Sequence, residues 1–183
     1  MELAPFTPYS AKPTADSRRA MALRLMKDTP ETTELLAEGL LQIVAMEGPI
    51  LSTRAFNLYS KAGGMAKLSN VAMRRFTAAL NKAKSEGRLE MELEPTPSTP
   101  GVNHMVAVLR LPTMKRIVVR EYGNRGFDDI PASELGEVMF ELATETGDDR
   151  AQLYQNMAEL YGLTHLPKNA ETRLDFIYKT FLA

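Results

Sequence analysis

Residues 69–88 read SNVAMRRFTAALNKAKSEGR, and two stripes run through them at helical spacing. Ala72, Phe76, Ala79, Leu80 and Ala83 follow the pattern of a helix face packed on a core. On the other side Asn70, Arg74, Thr77, Asn81, Lys84 and Arg88 keep a helical spacing without one acidic or apolar residue. Ser69 stands as the cap and Gly87 as the stop. A solvated helix face ordinarily mixes charge signs. Here the sign is single, and Asn and Arg are side chains that read base edges, whereas Lys and Thr suit phosphates. The plain alternative is a solvated face whose Lys84 and Arg88 favour the helix C-terminus.

Charge along the chain sharpens that contrast. The net charge of −1 conceals blocks: residues 28–51 hold five acidic and no basic side chains, and residues 52–88 hold eight basic ones against Glu86 alone. Residues 124–183 hold five basic and eleven acidic side chains, a net −6 that a duplex would repel. The apolar fraction of 44% and charged fraction of 25% are those of a soluble globular chain. There is no signal-peptide pattern and no apolar run long enough for a membrane span, so a cytoplasmic protein with no membrane partner is expected. Zero cysteines exclude disulfides and thiolate chemistry.

Working outward, residues 1–27 read as a basic N-terminal arm with a short helix around 17–26. Thr29 and Pro30 start a helix that Gly48-Pro49 ends, with Leu36, Leu40, Ile43 and Val44 inward. Ile50-Leu51 is an extended link, and Ser52 is placed as the cap of a helix with Ala55, Phe56 and Tyr59 inward, closed by Gly63-Gly64. After the opening helix, Leu89, Met91 and Leu93 alternate with glutamates, and Met105, Ala107, Leu109 and Leu111 alternate again. With the loop PTPSTPGVN between them they predict a β-hairpin. Three helices followed by a hairpin is the order of a winged helix-turn-helix domain, assigned here to residues 28–119, with the opening helix as the one that enters a DNA groove.

RIVVR (116–120) predicts one more strand. Residues 120–183 then repeat the three-helix pattern without a wing, aligned with the first half at an offset of 98: Phe56 on Tyr154, Gly64 on Gly162, Ala72 on Ala170 and Phe76 on Leu174. Asp148 or Asp149 is placed as a cap, as is the pair Asp128-Asp129. Ala170, Leu174, Ile177 and Phe181 form the inward stripe of the last helix. Phe176 lies off that stripe, either packing on the connector or the first unit, or offering a partner-binding patch. The expected fold is mainly α with a small β-hairpin, built of tandem helix-turn-helix-like units of which the first is winged.

IVAMEGPILSTRAFNLYSKAGG, REYGNRGFDDIPASELGEVMFELATETG and MAELYGLTHL resemble an uncharacterised bacterial domain family. That family is usually found near the C-terminus of very large superfamily I DNA/RNA helicase proteins, beside a Vsr-like endonuclease domain. The matching positions are Glu47-Gly48-Pro49-Ile50, Gly63-Gly64, Arg120 to Arg125, Ile130-Pro131 with Glu134, and Gly162-Leu163, over roughly residues 6–181. His165-Leu166 stands where the family often has a basic residue. The resemblance implies a nucleic-acid-handling accessory module, not helicase or nuclease activity in this chain.

No phosphate-loop or metalloprotease motif is present, and His104 and His165 are isolated, so neither catalytic residues, metal ligands nor a cofactor is expected. The expected function is a non-catalytic DNA-binding accessory protein. Lys61, Lys67, Asn70, Arg74, Arg75, Thr77, Asn81, Lys84 and Arg88 contact double-stranded DNA, and a helicase or nuclease is recruited as partner. Arg18, Arg19 and Arg24 either add to the grip or pair with an acidic helix of a neighbouring copy. The rival is a protein-interaction scaffold in which the basic helix meets an acidic surface. A sequence-specific repressor would need a symmetric dimer, and the sequence leaves a homodimer open without signalling one.

Overall fold

The computed structural model describes residues 1–96, 106–147, 149–167 and 169–182, with the backbone alone for residues 145 and 146. The hairpin loop beyond residue 96, His104, Met105 and the candidate cap Asp148 lie outside the described residues. The chain is mainly helical, with one small antiparallel sheet. It divides into two units. One, the N-terminal unit, comprises Thr7–Leu93 and Val106–Arg116, and the other, the C-terminal unit, comprises Met1–Phe6, Glu94–Met105 and Ile117–Ala183.

In the N-terminal unit four helices surround one core: α1 (Ala15–Met26), α2 (Pro30–Glu47), α3 (Ser52–Ala62) and α4 (Asn70–Ser85). Thr29 caps α2 as expected, its hydroxyl accepting from the Thr32 amide with Pro30 in the first turn. Strands β1 (Ile50–Leu51), β2 (Glu90–Leu93) and β3 (Ala107–Arg110) form a sheet in the order β1-β3-β2. Register pairs Ile50 with Leu109 and Met91 with Leu109 across the central strand. Residues 7–27 are more than an arm, since α1 packs on α2 and α4 and buries Leu25 in the core.

Ser52 does not cap α3. Leu51 occupies the cap position, and the Ser52 hydroxyl instead accepts from the Ala107 amide at 3.1 Å, tying the start of α3 to β3. A buried carboxylate fastens the far end of α2. Glu47 accepts from Arg54 Nε at 2.6 Å and from the Tyr9 amide at 2.7 Å. The pair is nearly solvent-free, a setting in which losing either partner strands a charge.

The C-terminal unit contains a 3₁₀ turn (Phe127–Asp129) and helices α5 (Ala132–Thr146), α6 (Arg150–Leu160) and α7 (Ala170–Phe181). Its core gathers Ile130, Leu135, Val138, Met139, Leu153, Met157, Leu174 and Ile177. Asp149 caps α6, accepting from the Gln152 amide at 3.0 Å. The strand expected at 116–120 does not form; among the described residues only a single bridge joins Ala4 to Arg120. The Arg120 amide donates to Glu134 Oε1 at 3.1 Å instead of to a strand partner. Asp128 and Asp129 do not cap α5 either. Asp129 accepts from the Gly126 amide and Asp128 from the Asn169 side chain.

The α5 N-terminus is satisfied by a distant carboxylate. Glu94 accepts from the Ala132 amide at 2.8 Å and from Arg173 at 3.0 Å. This explains why the alternation of β2 fails at its end, where Leu93 is 69% exposed and Glu94 only 6%. Burial raises the Glu94 pKa, opposed by its bonds to Ala132 and Arg173. Phe181, expected inward, is 44% exposed and lies against Gly136.

At the offset of 98 one helix and the turn after it correspond. Ser52–Ala62 maps onto Arg150–Leu160 without a shift. The turn after each helix has the same hydrogen bonds: Met65 N to Ser60 O at 2.9 Å matches Leu163 N to Ala158 O at 2.8 Å, and Gly64 N to Lys61 O matches Gly162 N to Glu159 O. Gly64 and Gly162 have φ of 74° and 69°, the left-handed geometry that such a turn requires and that glycine adopts without strain.

Glu134 is the hub of the C-terminal unit. It binds Arg120 at 2.8 Å and Arg125 at 2.9 Å, and both guanidinium groups lie over the Phe6 ring. Glu134→Ala leaves two buried guanidinium groups without their shared carboxylate, and the expected loss is about 3–5 kcal/mol in urea unfolding. A loss below about 1 kcal/mol would show that water replaces the carboxylate there.

Candidate nucleic-acid interface

The orientation of α4 is fixed by one aromatic side chain. Phe76 is fully buried, stacked on Phe56 with ring centroids 4.6 Å apart and edge-on to Tyr59 at 5.4 Å. Ala72, Ala79, Leu80 and Ala83 are buried on the same side, as their spacing predicts. At the N-terminus of α4 the Ser69 hydroxyl accepts from the Ala72 amide at 3.1 Å. The opposite face is therefore turned to solvent.

On that face Asn70, Arg74, Thr77, Asn81 and Lys84 are all exposed. The Thr77 hydroxyl donates to the Met73 carbonyl within the helix, which leaves its oxygen free to accept. Lys61 in the last turn of α3 and Lys67 in the turn before α4 are also exposed. Among the described residues no ion pair engages Lys61, Lys67, Arg74 or Lys84.

The other two candidates are differently placed. Arg75 is drawn to Asp28, just ahead of α2. Arg88 binds Glu34 at 3.0 Å and Glu86 at 2.6 Å, and also meets Glu38. Lys82, which sequence reasoning left out, binds Glu34 at 3.0 Å and Glu86. Hydrogen bonding from Lys82, aided by the Arg88 charge, holds the Glu34 carboxyl below its usual range. The acidic block of residues 28–51 thus faces the basic block of 52–88 across the contact between α2 and α4. With Arg54 on Glu47, four of the eight basic residues in 52–88 are answered within the unit. The signal for this was present in the sequence: Glu34 and Glu38 sit one turn apart on one face of α2.

The sheet carries balanced charge. Arg110 pairs with Glu90 and stands 3.6 Å from Glu92, and Arg116 reaches Glu92 at 2.8 Å. In α1, Arg18 and Arg19 are exposed, and the Arg18 side chain passes 3.8 Å from the position of a β-carbon on Gly64, beside the α3–α4 turn. Phe176, the candidate partner contact, is half-buried against the core of the C-terminal unit, so the exposed aromatics of that unit are Phe140 and Phe181.

Among the described residues no group of three His, Asp or Glu side chains is placed to hold a metal ion. None of their helices is long and apolar enough to cross a membrane. In comparisons with known proteins, no family model, no curated sequence and no solved structure matches this chain.

The seat of Phe76 generates a stability prediction. Phe76→Ala removes the ring between Phe56 and Tyr59 and should cost about 3–5 kcal/mol in denaturant unfolding. Phe76→Leu keeps most of the volume and should cost clearly less.

Proposed function

We propose that this chain is a non-catalytic DNA-binding accessory protein whose N-terminal unit acts as a winged helix-turn-helix domain. The α3–turn–α4 segment is the helix-turn-helix in this reading, and β2 with β3 is the wing. The observation that carries it is the exposed, acid-free stripe Asn70, Arg74, Thr77, Asn81 and Lys84, with Lys61 and Lys67 at the turn. Arg74 and Asn side chains on such a face have the geometry for base edges, and the lysines suit phosphates. Arg75 and Arg88 support α4 from behind through α2 and are not direct contacts in this proposal.

The C-terminal unit repeats the helix–glycine turn–helix segment, but residues 124–183 carry net negative charge and would be repelled by a duplex. It is proposed to hold a protein partner, a helicase or nuclease supplied by another chain in the cytoplasm. The sequence resemblance to helicase-associated domains supports this assignment. The rival, a scaffold that binds only proteins, is favoured by the internal pairing of Arg75, Lys82 and Arg88 and by the balanced charge of the sheet.

Fluorescence anisotropy with a short random duplex, titrated at several salt concentrations, separates the two. Three phosphate contacts from Lys61, Lys67 and Lys84 predict a log–log salt slope of about −2.7. Arg74→Glu with Lys84→Glu should abolish binding near physiological salt. Unchanged affinity in that double variant, or no binding even at low salt, rejects the DNA reading and leaves the scaffold. A converse variant strengthens binding: Glu34→Gln with Glu38→Gln removes two negative charges beside Lys82 and Arg88, which then keep Glu86 alone, so affinity should rise.

A further inference from the structure

A cleft of about 330 Å³ opens in the N-terminal unit, among the residues that precede α1, α1 itself, α2 and α3. Tyr9, Lys12, Arg24, Gly39, Gln42 and Tyr59 line it. Its chemistry is unlike that of an ordinary surface dimple. Tyr59 is 1% exposed, and its hydroxyl proton has no acceptor among the described residues. A buried phenolic proton without an acceptor is costly, and such a donor calls for one. The Arg24 guanidinium stands beside that hydroxyl, and Lys12 supplies a second cation. Among the described residues neither cation takes part in an ion pair.

The backbone is shaped to admit the tyrosine. A β-carbon on Gly39 would lie 2.4 Å from the Tyr59 ring, so α2 needs a glycine there despite the cost of glycine within a helix. The wall is part apolar, from Met21 and Pro13, and part polar, from Gln42 and the two tyrosines. A small cleft with mixed walls, two cations outside any described ion pair and a buried donor has the composition of a ligand site at the lower end of the usual size range.

We infer that this cleft binds a small ligand through an oxyanion, a carboxylate or phosphate group held by Arg24, Lys12 and the Tyr59 hydroxyl. Two charge-assisted bonds from the cations and one from the phenol satisfy an oxyanion and leave its organic part against Met21 and Pro13. Burial raises the Tyr59 pKa, against the opposing pull of Arg24, so the phenol keeps its proton and donates it in a hydrogen bond. Tyr59 also touches Phe76, so the occupied cleft abuts the side chain that seats α4. The site stands apart from the α4 surface stripe and does not depend on the DNA reading.

The test is titration of the whole chain, followed by two-dimensional amide NMR, with inorganic phosphate and, separately, benzoate as probes. Saturable shifts at the amides of Tyr9, Gly39 and Tyr59 with at least one probe are expected. Phosphate alone identifies a phosphate-bearing ligand, benzoate alone a carboxylate, and both an oxyanion site indifferent to the source. Arg24→Gln should weaken binding roughly tenfold or more. Tyr59→Phe, which keeps the ring on Phe76 and removes only the hydroxyl, should weaken it as well. Arg74→Glu with Lys84→Glu should leave it unchanged, so that loss of DNA binding and loss of this site are read separately. No saturable shift with either probe, or shifts that survive both Arg24→Gln and Tyr59→Phe, overturn the inference.

Discussion

The burial of Phe76 between Phe56 and Tyr59 is the constraint on which the N-terminal unit turns. A helix with small residues on its inner face, such as Ala72, Ala79 and Ala83, can slide or rotate against its neighbours with little penalty. One large ring in a closed aromatic slot removes that freedom. Once Phe76 is seated, the rotation of α4 follows. Asn70, Arg74, Thr77, Asn81 and Lys84 face water, and Arg75 and Lys82 face the acidic side of α2. The ion pairs along α2 are consequences of that seat more than causes of it, because exposed pairs of this kind are individually weak.

Much of the helical architecture was legible in the sequence, because caps and periodicity are local. Thr29 with Pro30, Ser69 and Asp149 each cap the helix that their position predicts. Gly64, Gly87 and Gly162 each mark a left-handed turn. Three of the misreadings share one physical origin, which is a polar group satisfied by a residue distant in sequence. Ser52 looks like a cap but answers Ala107, 55 residues away. Glu94 looks like the solvent side of a strand but caps α5, and Arg120 looks like a strand residue but is claimed by Glu134. Periodicity assigns faces and is blind to such partners.

The candidate site was legible to the same degree. Its exposed stripe follows from the apolar stripe by simple opposition. The fate of Arg75 and Arg88 did not follow, because it depends on which face of α2 meets α4. The Tyr59 cleft was hidden for a different reason. Tyr59 is read correctly as an inward residue of α3, but nothing in the spacing of α3 tells that its hydroxyl proton lacks an acceptor or that Gly39 makes room for its ring.

The pairing of half the basic block also bears on what kind of DNA binder the proposal describes. Lys61, Lys67, Arg74 and Lys84 offer a modest electrostatic grip, and non-specific affinity of that origin falls to about 10⁻⁴–10⁻⁶ M at physiological salt. A unit with so few free cations would not hold a duplex for long alone. Useful residence then needs either base-edge bonds from Asn70, Arg74 and Asn81 or a second attachment that raises the local concentration of DNA. The acidic C-terminal unit would be repelled by a duplex, so in this proposal its part is to keep a separate, DNA-holding protein close. A weak, steerable contact joined to a partner-binding unit is what an accessory role requires, whereas a stand-alone repressor would need more charge or a symmetric second copy.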